Sequence, residues 1–137
     1  MEVHEIKSDE DIVLARHFIR DRAKEMGFGL VDQTKLTTVA SELVRNILLY
    51  AGKGKVITIE VKNGFDIGLK IEFIDYGPGI ENIELALKDG YTSGGGLGKG
   101  LPGSKRLVDD FFIETEKNRG TKITVIKWLR GVKIDTV

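Results

Sequence analysis

The fold is decided by a glycine-rich segment, Ser93-Gly94-Gly95-Gly96-Leu97-Gly98-Lys99-Gly100-Leu101. The chain has 17 glycines, against about 10 expected at an average usage near 7%, and nine of them lie between Gly77 and Gly103. Glycine lets backbone N–H groups approach an anion closely, and Pro102 favours a helix whose positive end would begin near Leu101. We therefore expect a phosphate-binding loop to which Lys99 adds a positive charge. An exposed loop without a ligand is the alternative.

Two common phosphate-binding motifs do not fit this segment. A P-loop needs a glycine five positions before its Gly-Lys pair and a Ser or Thr after it, but the chain has Ser93 and Gly100 at those places. A dinucleotide-binding fingerprint must follow a strand directly and open a helix within a βαβ unit. Here a short predicted helix and a turn precede the segment, so that context is missing.

Hydrophobic periodicity predicts the elements on either side. Apolar residues at three- and four-residue intervals predict two long helices, the first capped by Ser8 or Asp9 and the second by Asp32. Alternating apolar residues predict hairpins at Asn63-Gly64 and around Asn118-Arg119-Gly120. The order β-α-α-β-β-α-α-β-β favours an α/β (α+β) two-layer sandwich, with a mixed, mainly antiparallel sheet and helices on one face. The shorter predicted elements are strands at Val3–Lys7, Ile57–Val61, Ile67–Phe73, Phe111–Glu116 and Thr121–Leu129, and helices at Ile83–Lys88 and from Leu101 to about Asp109.

Glu42 and Asn46 are two polar residues in an otherwise apolar part of the second helix. Their spacing of four places them on one helical face. A carboxylate can polarise a hydroxyl or a water molecule, and an amide oxygen is a suitable ligand for Mg²⁺. The pair therefore indicates a candidate catalytic carboxylate beside a candidate metal ligand. An exposed polar edge is the alternative.

Asp75 ends a strongly apolar predicted strand and is followed by Gly77 and Gly79. A buried acceptor at this place, with glycines that admit a planar ring, would suit the exocyclic amine of adenine. An ordinary strand-ending turn is the alternative. Gly120-Thr121 opens the last predicted strand, where a hydroxyl could bond near the same base, although by itself this pair indicates only a hairpin.

Composition excludes several other classes of function. The 21 basic and 21 acidic residues cancel, so no net field favours nucleic acid or anionic lipid. The absence of cysteine and the presence of only His4 and His17 argue against disulfides, thiolate chemistry, a histidine triad and a multi-histidine metal site. Neither a signal peptide nor a membrane-spanning segment is indicated. We expect one cytoplasmic domain over residues 1–137.

Taken together and in this order, the motifs resemble the Bergerat ATP-binding fold of the GHKL superfamily, which gyrase, the Hsp90 chaperone, histidine kinases and MutL share. Glu42-x-x-x-Asn46 resembles its N box, and the glycine boxes follow as Asp75-x-Gly77-x-Gly79, Gly96-x-Gly98-x-Gly100-Leu101 and Gly120-Thr121. The resemblance implies ATP and Mg²⁺ as cofactors, Glu42 as the catalytic residue and Asn46 as the metal ligand. The implied nucleotide-binding residues are Asn46, Asp75, Gly77, Gly79, Gly94, Gly95, Gly96, Leu97, Gly98, Gly100, Leu101 and Thr121. Lys99 is added to them on its charge and location alone.

Within that superfamily, the chain resembles the small serine/threonine kinases of bacterial partner-switching modules and stressosomes. An apolar residue, Leu49, stands three positions after Asn46, where many histidine kinases carry a basic one. The resemblance implies phosphorylation of a serine or threonine on STAS-domain scaffold or antagonist proteins, followed by binding and activation of a PP2C-type phosphatase. The alternatives are an anti-sigma factor kinase of the same fold and a nucleotide-gated binding module without turnover. The segments that carry this resemblance are Asp11–Arg16, Met26–Gly29, Ser41–Asn46, Tyr50–Gly54, Gly94–Gly103 and Ile126–Arg130.

Overall fold

Two long helices and a five-stranded sheet form the architecture. The computed structural model describes residues 1–87 and 101–129. Within them, the succession of elements confirms the predicted order β-α-α-β-β-α-α-β-β. The elements are β1 (Glu2–Ile6), α1 (Glu10–Met26), α2 (Leu30–Tyr50), β2 (Gly54–Asn63), β3 (Asp66–Asp75), α3 (Ile83–Ala86), α4 (Leu101–Leu107), β4 (Asp110–Glu116) and β5 (Gly120–Leu129).

The sheet has the strand order β1-β2-β3-β5-β4, and every neighbouring pair is antiparallel. The prediction of a mainly antiparallel sheet is confirmed, and no parallel pair occurs among the described strands. Asp75, at the end of β3, pairs with Gly54 on one side and with Thr121 on the other. The register therefore places the end of β3 beside the start of β5, next to the C-terminal end of α2.

The core lies between the helices and one face of the sheet, as the helical periodicity predicts. Side chains at three- and four-residue spacing on both helices are buried against alternate residues of the strands, which removes their apolar surface from water. None of the helices in residues 1–87 and 101–129 is long and apolar enough to cross a membrane. The buried core residues include Ala15, Ile19, Ala23, Leu36, Val39, Leu43, Ile47, Val56, Leu69, Ile71, Phe73 and Val125.

The N-terminal caps predicted for the two long helices are wrong. Asp9 has helical dihedral angles and makes no capping hydrogen bond. Instead, the carboxylate of Asp11 accepts hydrogen bonds from the backbone N–H groups of Lys7 at 2.7 Å and Ser8 at 3.1 Å. The second helix begins at Leu30, so Asp32 lies in its first turn. An acidic residue in a first turn complements the helix dipole without capping the end.

Trp128 packs on the sheet rather than serving as an exposed anchor. A Cβ atom on Gly68 would lie 2.7 Å from Cε3 of the indole, so the ring covers the space that this glycine leaves in β3. The indole Nε1 donates to a carboxylate oxygen of Asp110 at 3.0 Å. This contact joins β5 to the first residue of β4.

Candidate functional site

A small cavity of about 50 Å³ lies where α2, the end of β3, the start of α4 and β5 meet. The structure brings five of the predicted site residues, from four separate stretches of the chain, to this one cavity. These five are Asn46, Asp75, Gly79, Leu101 and Thr121, and the other lining residues are Tyr50, Pro78, Ile80 and Ile123.

Asp75 supplies the carboxylate of this cavity. Its Oδ1 atom accepts a hydrogen bond from the backbone N–H of Gly77 at 2.9 Å. Burial raises the pKa of the Asp75 carboxyl, and hydrogen bonds from the backbone of Gly77 and Thr121 oppose that rise. A half-buried, oriented acceptor of this kind suits an amino group of a planar ligand.

The turn after Asp75 needs its glycines because it lies against two other elements. A Cβ atom on Gly77 would lie 2.8 Å from the Cβ of Ala51, just after α2. Gly79 has φ +84°, and its Cβ would lie 2.7 Å from the carbonyl oxygen of Glu116 in β4. A side chain at Gly79 would therefore meet backbone strain and a close contact at once.

Of the two polar residues predicted on α2, Asn46 and Glu42, the structure places only Asn46 at the cavity. Asn46 lines the cavity, whereas Glu42, one turn earlier, is not among the lining residues. The Glu42 side chain is 37% exposed, and its Oε1 lies 3.3 Å from Nη1 of Arg45. The carboxylate is therefore accessible to a macromolecular substrate while it pairs with a neighbouring arginine.

Most of the glycine-rich segment lies outside the described residues. The predicted positions Gly94, Gly95, Gly96, Leu97, Gly98, Lys99 and Gly100 all fall there. Leu101, the first residue after this gap, is 1% exposed and lines the cavity. Helix α4 therefore begins at the wall of the site, as the sequence predicts for the end of the segment.

Sequence reasoning did not assign four lining residues to the site. Tyr50 was interpreted as part of the apolar stripe of the second helix and of a segment that carries the family resemblance. Pro78 was interpreted only as part of a turn and Ile123 only as part of the last strand, and no prediction was made for Ile80. Burial raises the pKa of the Tyr50 phenol, which keeps the phenol protonated. The useful signal was the position of Tyr50, because it lies four residues, or about one helical turn, after Asn46.

A wider cleft of about 670 Å³ shares Pro78, Gly79 and Ile80 with the small cavity. The rest of its lining comes from the chain through Glu84 and from the β4–β5 hairpin, including Thr115 and Lys117. The 78–80 turn therefore lies between the small cavity and this wider cleft.

Asn46 is the candidate metal ligand. Within residues 1–87 and 101–129, no group of three or more His, Cys, Asp or Glu side chains could hold a metal ion by itself. Mg²⁺ is often bound by one or two protein oxygens, with phosphate oxygens and waters completing the octahedron. A single amide oxygen at the cavity wall fits a metal that arrives with a nucleotide.

Comparison with family models matches residues 31–131 to the "Histidine kinase-, DNA gyrase B-, and HSP90-like ATPase" family. The match includes α2, the 75–79 turn, α4 and the opening of β5, and thus every element that lines the cavity.

The relatives that match nearly the whole chain include a kinase and an anti-sigma factor. The serine/threonine-protein kinase RsbT of Bacillus subtilis strain 168 is 51% identical over 125 residues, which cover 91% of this chain and 94% of that protein. The anti-sigma F factor of Clostridium acetobutylicum is 35% identical over 132 residues, which cover 93% of this chain and 92% of that protein.

Solved structures support the fold. The nucleotide-free catalytic domain of the histidine kinase ThkA has a TM-score of 0.55 at 19% identity, covering 93% of this chain and 98% of that one. The mycobacterial sensor histidine kinase MprB gives the same TM-score and identity, covering 93% and 96%. The two-layer fold predicted from the sequence is therefore confirmed.

Proposed function

The chain belongs to the histidine kinase-, DNA gyrase B- and HSP90-like ATPase family, and we propose that it transfers the γ-phosphoryl group of ATP to a serine or threonine of a partner protein. The observation that supports this most is the convergence of Asn46, Asp75 and Thr121 on one cavity. The 51% identity to a serine/threonine-protein kinase favours a protein hydroxyl over a histidine as the acceptor. We also propose that residues 1–137 act as one ATP-binding domain.

Adenine would enter the small cavity. Its exocyclic amine would donate to the Asp75 carboxylate, which the backbone N–H of Gly77 already orients. The apolar lining from Ile80, Leu101 and Ile123 would cover the faces of the ring. At about 50 Å³ the cavity is smaller than a base, so we expect the turn and α4 to separate slightly when the nucleotide binds.

The phosphates would extend from the cavity toward the start of α4. The Asn46 amide oxygen would be the protein ligand of Mg²⁺, which would supply positive charge to neutralise the phosphates. We propose that residues Gly94 to Gly100 supply backbone N–H groups to the phosphates, with Lys99 as an added charge. This proposal is supported by their sequence and by the position of Leu101 at the cavity wall.

Glu42 would accept the proton of the incoming serine or threonine hydroxyl. The serine oxygen attacks the γ-phosphorus, the bond from that phosphorus to the β–γ bridging oxygen breaks, and ADP leaves. The hydroxyl proton passes to the Glu42 carboxylate, which is partly exposed and therefore accessible to a protein substrate. Phosphoryl transfer depends mainly on positioning and electrostatics, so few other reacting groups are needed.

We propose STAS-domain scaffold or antagonist proteins as the substrates and a PP2C-type phosphatase as the partner after release. The resemblance of the segments around Asp11, Ser41 and Gly94 to partner-switching kinases supports this assignment. An anti-sigma activity is the second candidate, because the chain is 35% identical to an anti-sigma F factor over 93% of its length.

The test is a phosphorylation assay with a STAS-domain protein from the same genome. After incubation with Mg-ATP, intact-mass spectrometry should show one added phosphoryl group on that protein, located at a serine or threonine by peptide mapping. An unchanged mass would contradict the kinase proposal and favour a non-catalytic module. Capture of a sigma subunit in a pull-down, dependent on nucleotide, would favour the second candidate.

A further inference from the structure

Thr115, in β4, carries a hydroxyl that joins three parts of the candidate site. Its Oγ1 accepts a hydrogen bond from the backbone N–H of Ile80 at 2.8 Å. The same hydroxyl lies 3.1 Å from the carbonyl oxygen of Gly120 and 3.0 Å from Oγ1 of Thr121. Thr115 itself is not among the residues that line the small cavity. Its effect on a ligand there must therefore pass through the residues that it touches.

A count of protons determines the direction of these hydrogen bonds. A hydroxyl has one proton to donate and two lone pairs to accept with. The carbonyl of Gly120 can only accept, so it takes the proton of Thr115. The two lone pairs of Thr115 then accept from the Ile80 N–H and from the Thr121 hydroxyl. This is the one arrangement in which all three contacts are hydrogen bonds.

The Thr121 hydroxyl consequently has no proton left for the cavity. Thr121 is 8% exposed and lines the cavity beside Asp75. Its oxygen therefore offers only lone pairs to a ligand, and the adjacent carboxylate of Asp75 also accepts. Two neighbouring acceptors favour a ligand edge that carries an amino group and repel an edge that carries a carbonyl oxygen.

Thr115 also fixes the turn that closes the cavity. The Ile80 N–H is bound to its hydroxyl, and two residues earlier the carbonyl of Pro78 accepts from the backbone N–H of Asn118 at 2.9 Å. Both ends of the 78–80 turn are thus attached to the β4–β5 hairpin. The turn and the Thr121 hydroxyl are held by the same side chain.

We propose that Thr115 is a positioning residue that makes the cavity selective for a 6-amino purine over a 6-oxo purine, by holding the Thr121 proton away from the base and the 78–80 turn against β4. This inference rests on the proposed function, because it assumes that the cavity binds the base of a nucleotide. It adds a specificity determinant on a strand that does not itself contact the base.

The test compares ADP with inosine diphosphate, whose base has a carbonyl oxygen in place of the amino group. Calorimetry gives both dissociation constants for the wild type, Thr115→Val and Thr115→Ser. Valine keeps the shape and removes the hydroxyl, whereas serine keeps the hydroxyl. We expect Thr115→Val to weaken ADP binding about tenfold and to reduce the preference for ADP at least about fivefold, because the freed Thr121 proton can be donated to the carbonyl oxygen. Thr115→Ser should keep the wild-type preference.

An unchanged preference in a folded Thr115→Val variant would overturn the inference and leave the proposed kinase function intact. Failure of the wild type to bind ADP would overturn both, so the two failures are distinguishable. If Thr115→Val does not fold, Thr121→Val gives a second route, because it removes the hydroxyl whose proton Thr115 holds. The inference requires a smaller loss of preference there, because the acceptor lone pairs of Thr121 are removed but no proton is freed for the carbonyl oxygen, and retention of the wild-type preference would contradict it.

Discussion

Nη1 of Arg45 lies 3.3 Å from Oε1 of Glu42, one helical turn before the Asn46 side chain that lines the cavity. The arginine and the carboxylate are both on the solvent side of α2, where the side chains are 48% and 37% exposed. An ion pair this exposed contributes little to stability. Its importance is that it restrains a carboxylate beside a candidate phosphate site.

Removal of the Glu42 carboxylate should slow phosphoryl transfer and spare nucleotide binding. We expect Glu42→Ala to lower the transfer rate about 10²- to 10⁴-fold, the usual size of a general-base contribution, with the ADP dissociation constant within about twofold of wild type. Single-turnover phosphorylation and calorimetry measure the two effects. Glu60→Ala is the matched control, because Glu60 also pairs with an arginine, Arg22 at 3.1 Å, but lies on β2. A wild-type rate for Glu42→Ala would show that the assigned proton acceptor is wrong.

Asp75→Asn should weaken nucleotide binding without unfolding the protein. The amide keeps the shape and one acceptor oxygen but loses the charge, and a hydrogen bond to a charged group is worth about 1.5–3 kcal/mol. We therefore expect ATP and ADP affinity to fall by roughly 10- to 150-fold. Calorimetry checks the affinity and circular dichroism checks the fold. Asp66→Asn, at the exposed opposite end of β3, should bind like wild type, and equal affinity for both variants would argue against Asp75 as the base-recognising group.

The raised pKa of Asp75 should also appear in the pH dependence of stability. Because burial raises the pKa in the folded state, the folded protein holds this proton at pH values where the unfolded chain has lost it. The contribution of Asp75 to stability is therefore largest at low pH and falls as pH rises from the ordinary aspartate pKa through the folded one. Thermal unfolding of the wild type and Asp75→Asn from about pH 4 to pH 7 should show the wild type losing stability relative to the variant. A difference in stability between the two proteins that stays constant across this pH range would contradict the raised pKa of Asp75.

Gly79→Ala should disturb the site more than any ordinary loop substitution. Its φ of +84° is costly for alanine, and the new Cβ would lie 2.7 Å from the carbonyl oxygen of Glu116. We expect a loss of about 1–3 kcal/mol in the free energy of unfolding, together with at least tenfold weaker ADP binding. Gly29→Ala is the control, because its φ is −72° and nothing lies within 4 Å of its Cβ position. Chemical denaturation measures the stability, and calorimetry measures the affinity for ADP. A Gly79→Ala protein as stable as the Gly29→Ala control would contradict this prediction.

Much of the fold and part of the site could be predicted because their signals are local. Alternation, helical periodicity and two glycine-containing turns are properties of short windows, and they gave the element order. Asp75 and Thr121 were found because each lies beside a turn glycine. Thr115 was not identified from the sequence, because its hydroxyl reaches Gly120 and Thr121 only through the pairing of β4 with β5.

The N-terminal caps of the helices could not be predicted reliably from the local sequence. Any Ser or Asp before a helix can cap it, and the choice depends on the path of the chain that enters. Here the backbone of Lys7 and Ser8 bonds to Asp11. Asp32 lies 3.7 Å from Nζ of Lys127, a residue of β5 that is far away in the sequence. The contact of Asp32 has no signature within a single window, whereas the contacts of Asp11 span only three and four residues.

The two hairpins of the sheet differ in how far they can change length. The β2–β3 turn holds the exposed Phe65 and lies at the opposite end of β3 from Asp75, so extra residues there would extend into solvent. The β4–β5 turn is attached through Asn118 to Pro78, and an insertion there would release one wall of the cavity. Insertions and deletions during evolution are therefore expected in the β2–β3 turn and not in the β4–β5 turn. For the same reason, a tag or reporter domain could be inserted beside Phe65.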